Sequence, residues 1–195
     1  NPKNGKAQLD LGRVLMLNKK PADAIAPLKV AAKGKRGKDL ALYYLGLAQY
    51  QTSDFAGAVK SLDQASKLKG ADAKIFYNLG MAHEGALGKA PGTIEACQPM
   101  IDAYSKAVEM EPDKADYNFR LGNSYEAAAR AIYAKTAGND AMSKKALGLL
   151  GKAQNSYNAA VAADASNPAK DRLAGVAEMV ENIKNPKVIE EEVTE

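Results

Sequence analysis

A leucine–glycine pair recurs along this 195-residue chain at Leu11-Gly12, Leu45-Gly46, Leu79-Gly80 and Leu121-Gly122, with a weaker echo at Ala174-Gly175. Successive glycines are 34, 34, 42 and 53 residues apart, so the first three pairs keep one period and the later ones carry insertions of 8 and 19. Self-similarity at a period of this length describes stacked supersecondary units, each unable to bury its apolar face alone. The segments between the glycines are rich in Ala, Leu, Lys and Glu, and none has the alternating β-branched pattern of a strand. The expected fold is all-α.

Other positions keep the same register. Twelve residues after Gly12 and Gly46 stand Ala24 and Ala58, followed by Leu28 and Ala31, then Leu62 and Ala65. Tyr104 and Ala107 repeat the large-then-small set, as do Ala153, Tyr157 and Ala160. Small residues at these places let the second helix of a hairpin close on the first, where a larger side chain would overpack by about 1–3 kcal/mol. Ser53-Asp54-Phe55 supplies a turn and an apolar anchor, and Glu111-Pro112 stops a helix.

These residues resemble the tetratricopeptide-repeat family over residues 5–184. The resemblance implies a right-handed superhelical solenoid of helix-turn-helix hairpins, a single domain over 1–184. Its repeats would cover about 5–38, 39–72, 73–114 and 115–167, with a capping helix at 168–184 and a flexible acidic tail at 185–195. The match is closest in the first two repeats; in the third, Met100 stands where a small alanine is expected. Pro2 occupies the place of a preceding repeat's closing proline, as in a piece of a longer array. The eight extra residues of the third repeat are expected within Gly85–Gln98, where Gly88, Pro91, Gly92 and Pro99 read as a loop with a delayed helix start. In the fourth repeat, helices are expected from about Lys114 through Lys135 and from about Asp140 to Asp164. Gly138-Asn139 would turn between them, and Ile132, Tyr133, Met142, Leu147, Leu149 and Leu150 would pack the extension.

Catalytic and metal motifs are each incomplete. One cysteine, Cys97, allows no internal disulfide, and one histidine, His83, builds no metal site of three or four ligands. Gly88-Lys89 and Gly151-Lys152 lack the upstream glycine of a phosphate loop, its place being taken by His83 and Ala146, and neither is followed by Ser or Thr. His83 reads as a core or groove residue and Cys97 as a small buried hydrophobe. The expectation is no enzyme and no cofactor. No apolar run approaches the roughly 20 residues that span a bilayer, so the chain reads as soluble and without membrane insertion, and the sequence leaves its compartment, cytoplasm or periplasm, unknown.

Binding is the function the resemblance implies, because the first helices of such hairpins line a groove. It places Tyr43, Leu47, Tyr50, Tyr77, Met81 and Phe119 there as apolar anchors, with Asn78, Arg120 and Asn123 setting register for a peptide or helix of a partner protein. Leu9, Arg13, Met16, Glu84 and Glu126 extend the same stripe, acidic toward the fourth repeat. Asn78 and Arg120 match two places of the family's carboxylate clamp, but Tyr43, Leu47 and Asp116 occupy the other three, so that clamp is broken. Residues 1–38 carry ten Lys or Arg against two Asp, and residues 171–195 carry seven Asp or Glu against three Lys or Arg. This polarity gives an alternative, an assembly subunit that joins end to end as a homo-oligomer. Nucleic acid is not an expected partner, since the Gly, Ala and Pro pattern fits the protein-binding family.

Overall fold

A computed structural model describes residues 4–88, 93–133 and 139–185, and among these there are nine α-helices and no strand. They are α1 (Gly5–Leu17), α2 (Pro21–Ala31), α3 (Lys38–Gln51), α4 (Phe55–Ser66), α5 (Ala73–Leu87), α6 (Ile94–Met110), α7 (Ala115–Tyr133), α8 (Asp140–Ala163) and α9 (Ala169–Lys184). The chain divides into two compact units. One comprises residues 1–91 and 95–112, and the other residues 92–94 and 113–195.

Side-chain caps start several of the helices. Asn4 accepts from the Lys6 and Ala7 amides, Asp54 from Gly57, Asp72 from Ile75, and Asn139 from Ala141 and Met142, each satisfying amides that the first turn leaves unpaired. The turns that end α1 and α3 are copies of one another 34 residues apart. Lys19 and Ser53 both take positive φ, 56° and 62°, while the Lys20 amide reaches the Leu15 carbonyl and the Asp54 amide reaches that of Gln49. This six-to-one bond with a left-handed residue is the Schellman arrangement that closes a helix.

In the first unit α1, α3 and α5 lie side by side, and α2 and α4 each pack on the first helix of their own hairpin and on that of the next. Leu28 covers Gly12, Leu62 covers Gly46 and Tyr104 covers Gly80, so closely that a Cβ on any of these glycines would overlap the covering side chain. Ala24, Leu28, Ala31, Ala58, Leu62, Ala65, Tyr104 and Ala107 are all buried. In the second unit α8 packs on α7 and α9, with Tyr157 over Gly122.

The insertion in the third repeat differs from expectation. Residues 85–87 continue α5, α6 has already begun at Ile94, and Pro99 lies inside it. The proline is tolerated because the helical bond it cannot donate would go to Glu95, an exposed residue of the first turn. Pro27 is placed likewise in α2, opposite the carbonyl of exposed Asp23. Pro91, Gly92, Gly138 and the tail 186–195 lie outside the described residues. The long fourth hairpin buries Ile132 and Leu150 and half-buries Leu147 and Leu149, whereas Tyr133 and Met142 are 41% and 44% exposed.

Candidate functional site

Two rows of side chains run along the first helices. One row, Leu45, Leu79 and Leu121, is buried at 6%, 8% and 7% exposure. The second consists of the nine residues expected to bind, and every one is half-buried: Tyr43, Leu47, Tyr50, Tyr77, Asn78, Met81, Phe119, Arg120 and Asn123. On α3 the spacing 43, 47, 50 and on α5 the spacing 77, 81, 84 each put their residues on one side of a helix. Since α3 neighbours α5, six of the nine lie on adjacent helices of the first unit.

The aromatic members are braced by the outer helices. Tyr43 packs on the Leu42, Ala65 and Ile75 cluster and meets Tyr44 edge-on at 5.4 Å between centroids. Tyr50 meets Phe55 in the same manner at 5.5 Å, and Phe55 in turn sits against Gly85, where a Cβ would strike its ring. Tyr77 lies 5.8 Å from Tyr104, whose hydroxyl donates to Glu84 at 2.8 Å. Such pairs restrict the rings without removing them from solvent.

Polar groups on the stripe are engaged with their own fold. Asn78 Nδ2 donates to the Lys74 carbonyl at 2.7 Å. Burial pushes the Tyr43 hydroxyl above its ordinary range, Asp72 and Tyr44 add to this, and Asn78 opposes it. Between the N-terminal ends of α3 and α5 is a cavity of about 290 Å³, walled by Tyr43, Tyr44 and Ile75 and rimmed by Asp39, Asp72 and Lys74.

In the second unit Phe119 packs on the core and lies 6.0 Å from Tyr157. The Tyr157 oxygen is 2.8 Å from Asn123 Oδ1 and 2.7 Å from Glu126 Oε2. A hydroxyl has one proton to give, and the carboxylate is the stronger acceptor. Here the expected acidic end of the stripe is corrected: Glu126 is 2% exposed and takes Arg130 and Arg172 on its other oxygen. Burial alone would raise its pKa, but the bonds from Tyr157, Arg130 and Arg172 outweigh burial and hold the carboxyl below its usual range. Burial and the facing carboxylate push the Tyr157 phenol up. Leu9 is also withdrawn from the stripe, buried at 7% within the core of the first two hairpins. The sequence offered no sign of Arg172, which lies 46 residues from its acceptor, outside the repeating register.

Cys97 is fully buried and its thiol is raised by that burial, with Glu95 adding to it. His83 is half-buried, and burial lowers its pKa against a weaker pull from Asp63. No helix among the described residues is long and apolar enough to cross a membrane.

A family model for the tetratricopeptide repeat matches residues 40–98. A search of curated proteins finds no match. Among solved structures, a crystal structure of MamA aligns at a TM-score of 0.58 and 23% identity, over 81% of this chain and 81% of that one. MamA from Desulfovibrio magneticus RS-1 aligns at 0.56 and 16% identity, over 94% and 97%. YrrB, described as a TPR protein with an unusual peptide-binding site, aligns at 0.58 and 14% identity, over 96% and 90%. At such identities the likeness is one of fold. The matched stretch contains the Leu45-Gly46 and Leu79-Gly80 pairs with their covering residue Leu62, the same packing recurs in the flanking hairpins, and over residues 40–98 the chain matches the tetratricopeptide repeat.

Proposed function

We propose that the chain is a non-catalytic protein-interaction module that holds a peptide or helix of a partner protein against the first-helix stripe. Tyr43, Leu47, Tyr50, Tyr77 and Met81 form the apolar contact in the first unit; in the second, taken by itself, Phe119, Arg120 and Asn123 are the candidate contacts on α7. The observation that carries this reading is the contrast between the two rows. The leucine row is buried, whereas the second row is largely apolar and aromatic and remains half-open to solvent even where Tyr43, Tyr50 and Phe119 lean on the core. Rings braced at fixed angles lose little freedom on binding, which favours an anchor role. YrrB, with its peptide-binding site, is a neighbour in fold and supports the same reading.

Asn78 is held by its own helix, because its amide already serves the Lys74 carbonyl. Amide shift mapping tests the proposal. A short peptide selected from a displayed random library, titrated into the labelled chain, should move resonances on α3 and α5 around Leu47 and Met81. Shifts confined to the outer helices α2 and α4 would refute it.

A further inference from the structure

The 34-residue register allows each position to be compared with its equivalents. Ala7, Leu11 and Val14 on α1 correspond to Ala41, Leu45 and Ala48 on α3 and to Ile75, Leu79 and Ala82 on α5. All six later residues are buried, at 8% exposure or less, because the Ala24, Leu28 and Ala31 face of α2 packs with the α3 set and α4 packs with the α5 set. In α1, Leu11 is 47% and Val14 51% exposed, and Ala7 is exposed as well. The first helix thus turns to solvent the face that its successors bury.

The second unit contains the converse feature. Gly12, Gly46, Gly80 and Gly122 are each covered by a large side chain of the following helix, but a Cβ built on Gly175 of α9 would meet nothing within 4 Å among the described residues. Gly175 holds the glycine place of the last repeat echo, and it opens into a cavity of about 430 Å³ that is also lined by Arg130, Tyr133, Glu178, Met179 and Asn182. Three of the four covering residues belong to a small, large, small set at i, i+4 and i+7: Ala24-Leu28-Ala31, Ala58-Leu62-Ala65 and Ala153-Tyr157-Ala160. Ala7-Leu11-Val14 has the same spacing, with Val14 the one larger member, and lies on the open face of α1.

We infer that α1 of one copy docks on α9 of a second copy, with Leu11 entering over Gly175 and Ala7 and Val14 beside it. A spare knob and an open socket on one chain point to a second copy as the occupant. Charge complementarity supports the same choice: the first 38 residues have ten Lys or Arg to two Asp, the last 25 have seven Asp or Glu to three Lys or Arg, and Glu178 stands on the socket rim. The contact joins unlike surfaces, so each added copy presents a fresh knob or socket and the product is a head-to-tail chain. A single helix on one socket buries far less than a standard interface, so the association is weak and salt-sensitive. This inference does not depend on the peptide-binding reading and uses none of its residues.

Sedimentation velocity of the full chain over a concentration series tests it. The weight-average coefficient of the wild type should rise with concentration at low salt and rise less at high salt. Leu11→Asp and Gly175→Leu should each abolish the rise. Leu11→Asp keeps its socket and Gly175→Leu keeps its knob, so an equimolar mixture should associate again and stop at the dimer. Glu178→Lys, at an exposed position on the socket rim, provides a second socket variant and should also lose the rise. Three results overturn the inference: a wild type monomeric at every concentration, association that survives these substitutions, or a mixture that stays monomeric while both variants melt as the wild type does.

Discussion

Arg172 of α9 donates to the Glu126 carboxylate of α7 at 2.7 Å, tying together two helices through residues 46 positions apart. Arg130 shares that carboxylate, and Tyr157 of α8 donates to its other oxygen, so one buried acid gathers all three helices of the second unit. Arg172→Met should destabilise this unit by about 1–2 kcal/mol, a modest figure because the Arg172 side chain is 46% exposed and Arg130 remains. Chemical denaturation with a probe in α9 would measure it.

The same cluster sets a pH dependence at both ends. The Glu126 carboxyl is held below its ordinary 4.5, so its contribution is present above that value and is lost as pH falls through the lower folded value. Glu126→Gln should flatten the fall in melting temperature below about pH 4.5. Tyr157 is raised above 10.0, so its contribution is complete below pH 10 and disappears as pH climbs through the raised value. In an ultraviolet titration the last tyrosine to ionise should be Tyr157, later than Tyr43, whose hydroxyl is also raised, and Tyr157→Phe should remove that last component.

Glycines on the packed face and on the open face of the same fold should respond oppositely to alanine. Gly46→Ala drives a methyl into buried Leu62 and should cost about 1–3 kcal/mol. Gly148→Ala, in α8 with nothing among the described residues within 4 Å of an added Cβ, should stabilise by about 0.5–1 kcal/mol through the unfolded chain and helix propensity. Equilibrium unfolding of the two variants gives the comparison.

Much of the fold was legible because large side chains covering glycines leave a periodic trace, and Leu28, Leu62, Tyr104 and Tyr157 do so. Helix bounds failed where the trace was ambiguous. Pro99 reads as part of a loop before a delayed helix start, yet a proline near a helix start loses only a bond to a carbonyl that water can reach. The nine stripe residues are all half-buried. Glu126 did not follow its neighbours, since periodicity assigns a side of a helix and says nothing of a cation arriving from α9. Leu9 likewise shared the stripe's register but was drawn into the core of the first two hairpins.

Ser53 and Lys19 occupy left-handed backbone that favours glycine. Ser53→Gly should raise stability by about 0.5–1 kcal/mol, less than the full strain because glycine is more flexible when unfolded. A thermal melt would detect it. An unchanged or lowered midpoint would show that the Ser53 side chain compensates for its conformation.

The affinity of a library-selected peptide for the stripe, measured by calorimetry on wild type, Leu47→Ala and Met81→Ala, is the most direct test of the binding account. These two positions are preferable to Tyr77, whose ring also packs on Tyr104 and would carry a stability cost. Each substitution should weaken binding about tenfold, near 1–2 kcal/mol, with the melting temperature little changed. Equal affinity for all three proteins would place recognition elsewhere on the molecule and contradict the account.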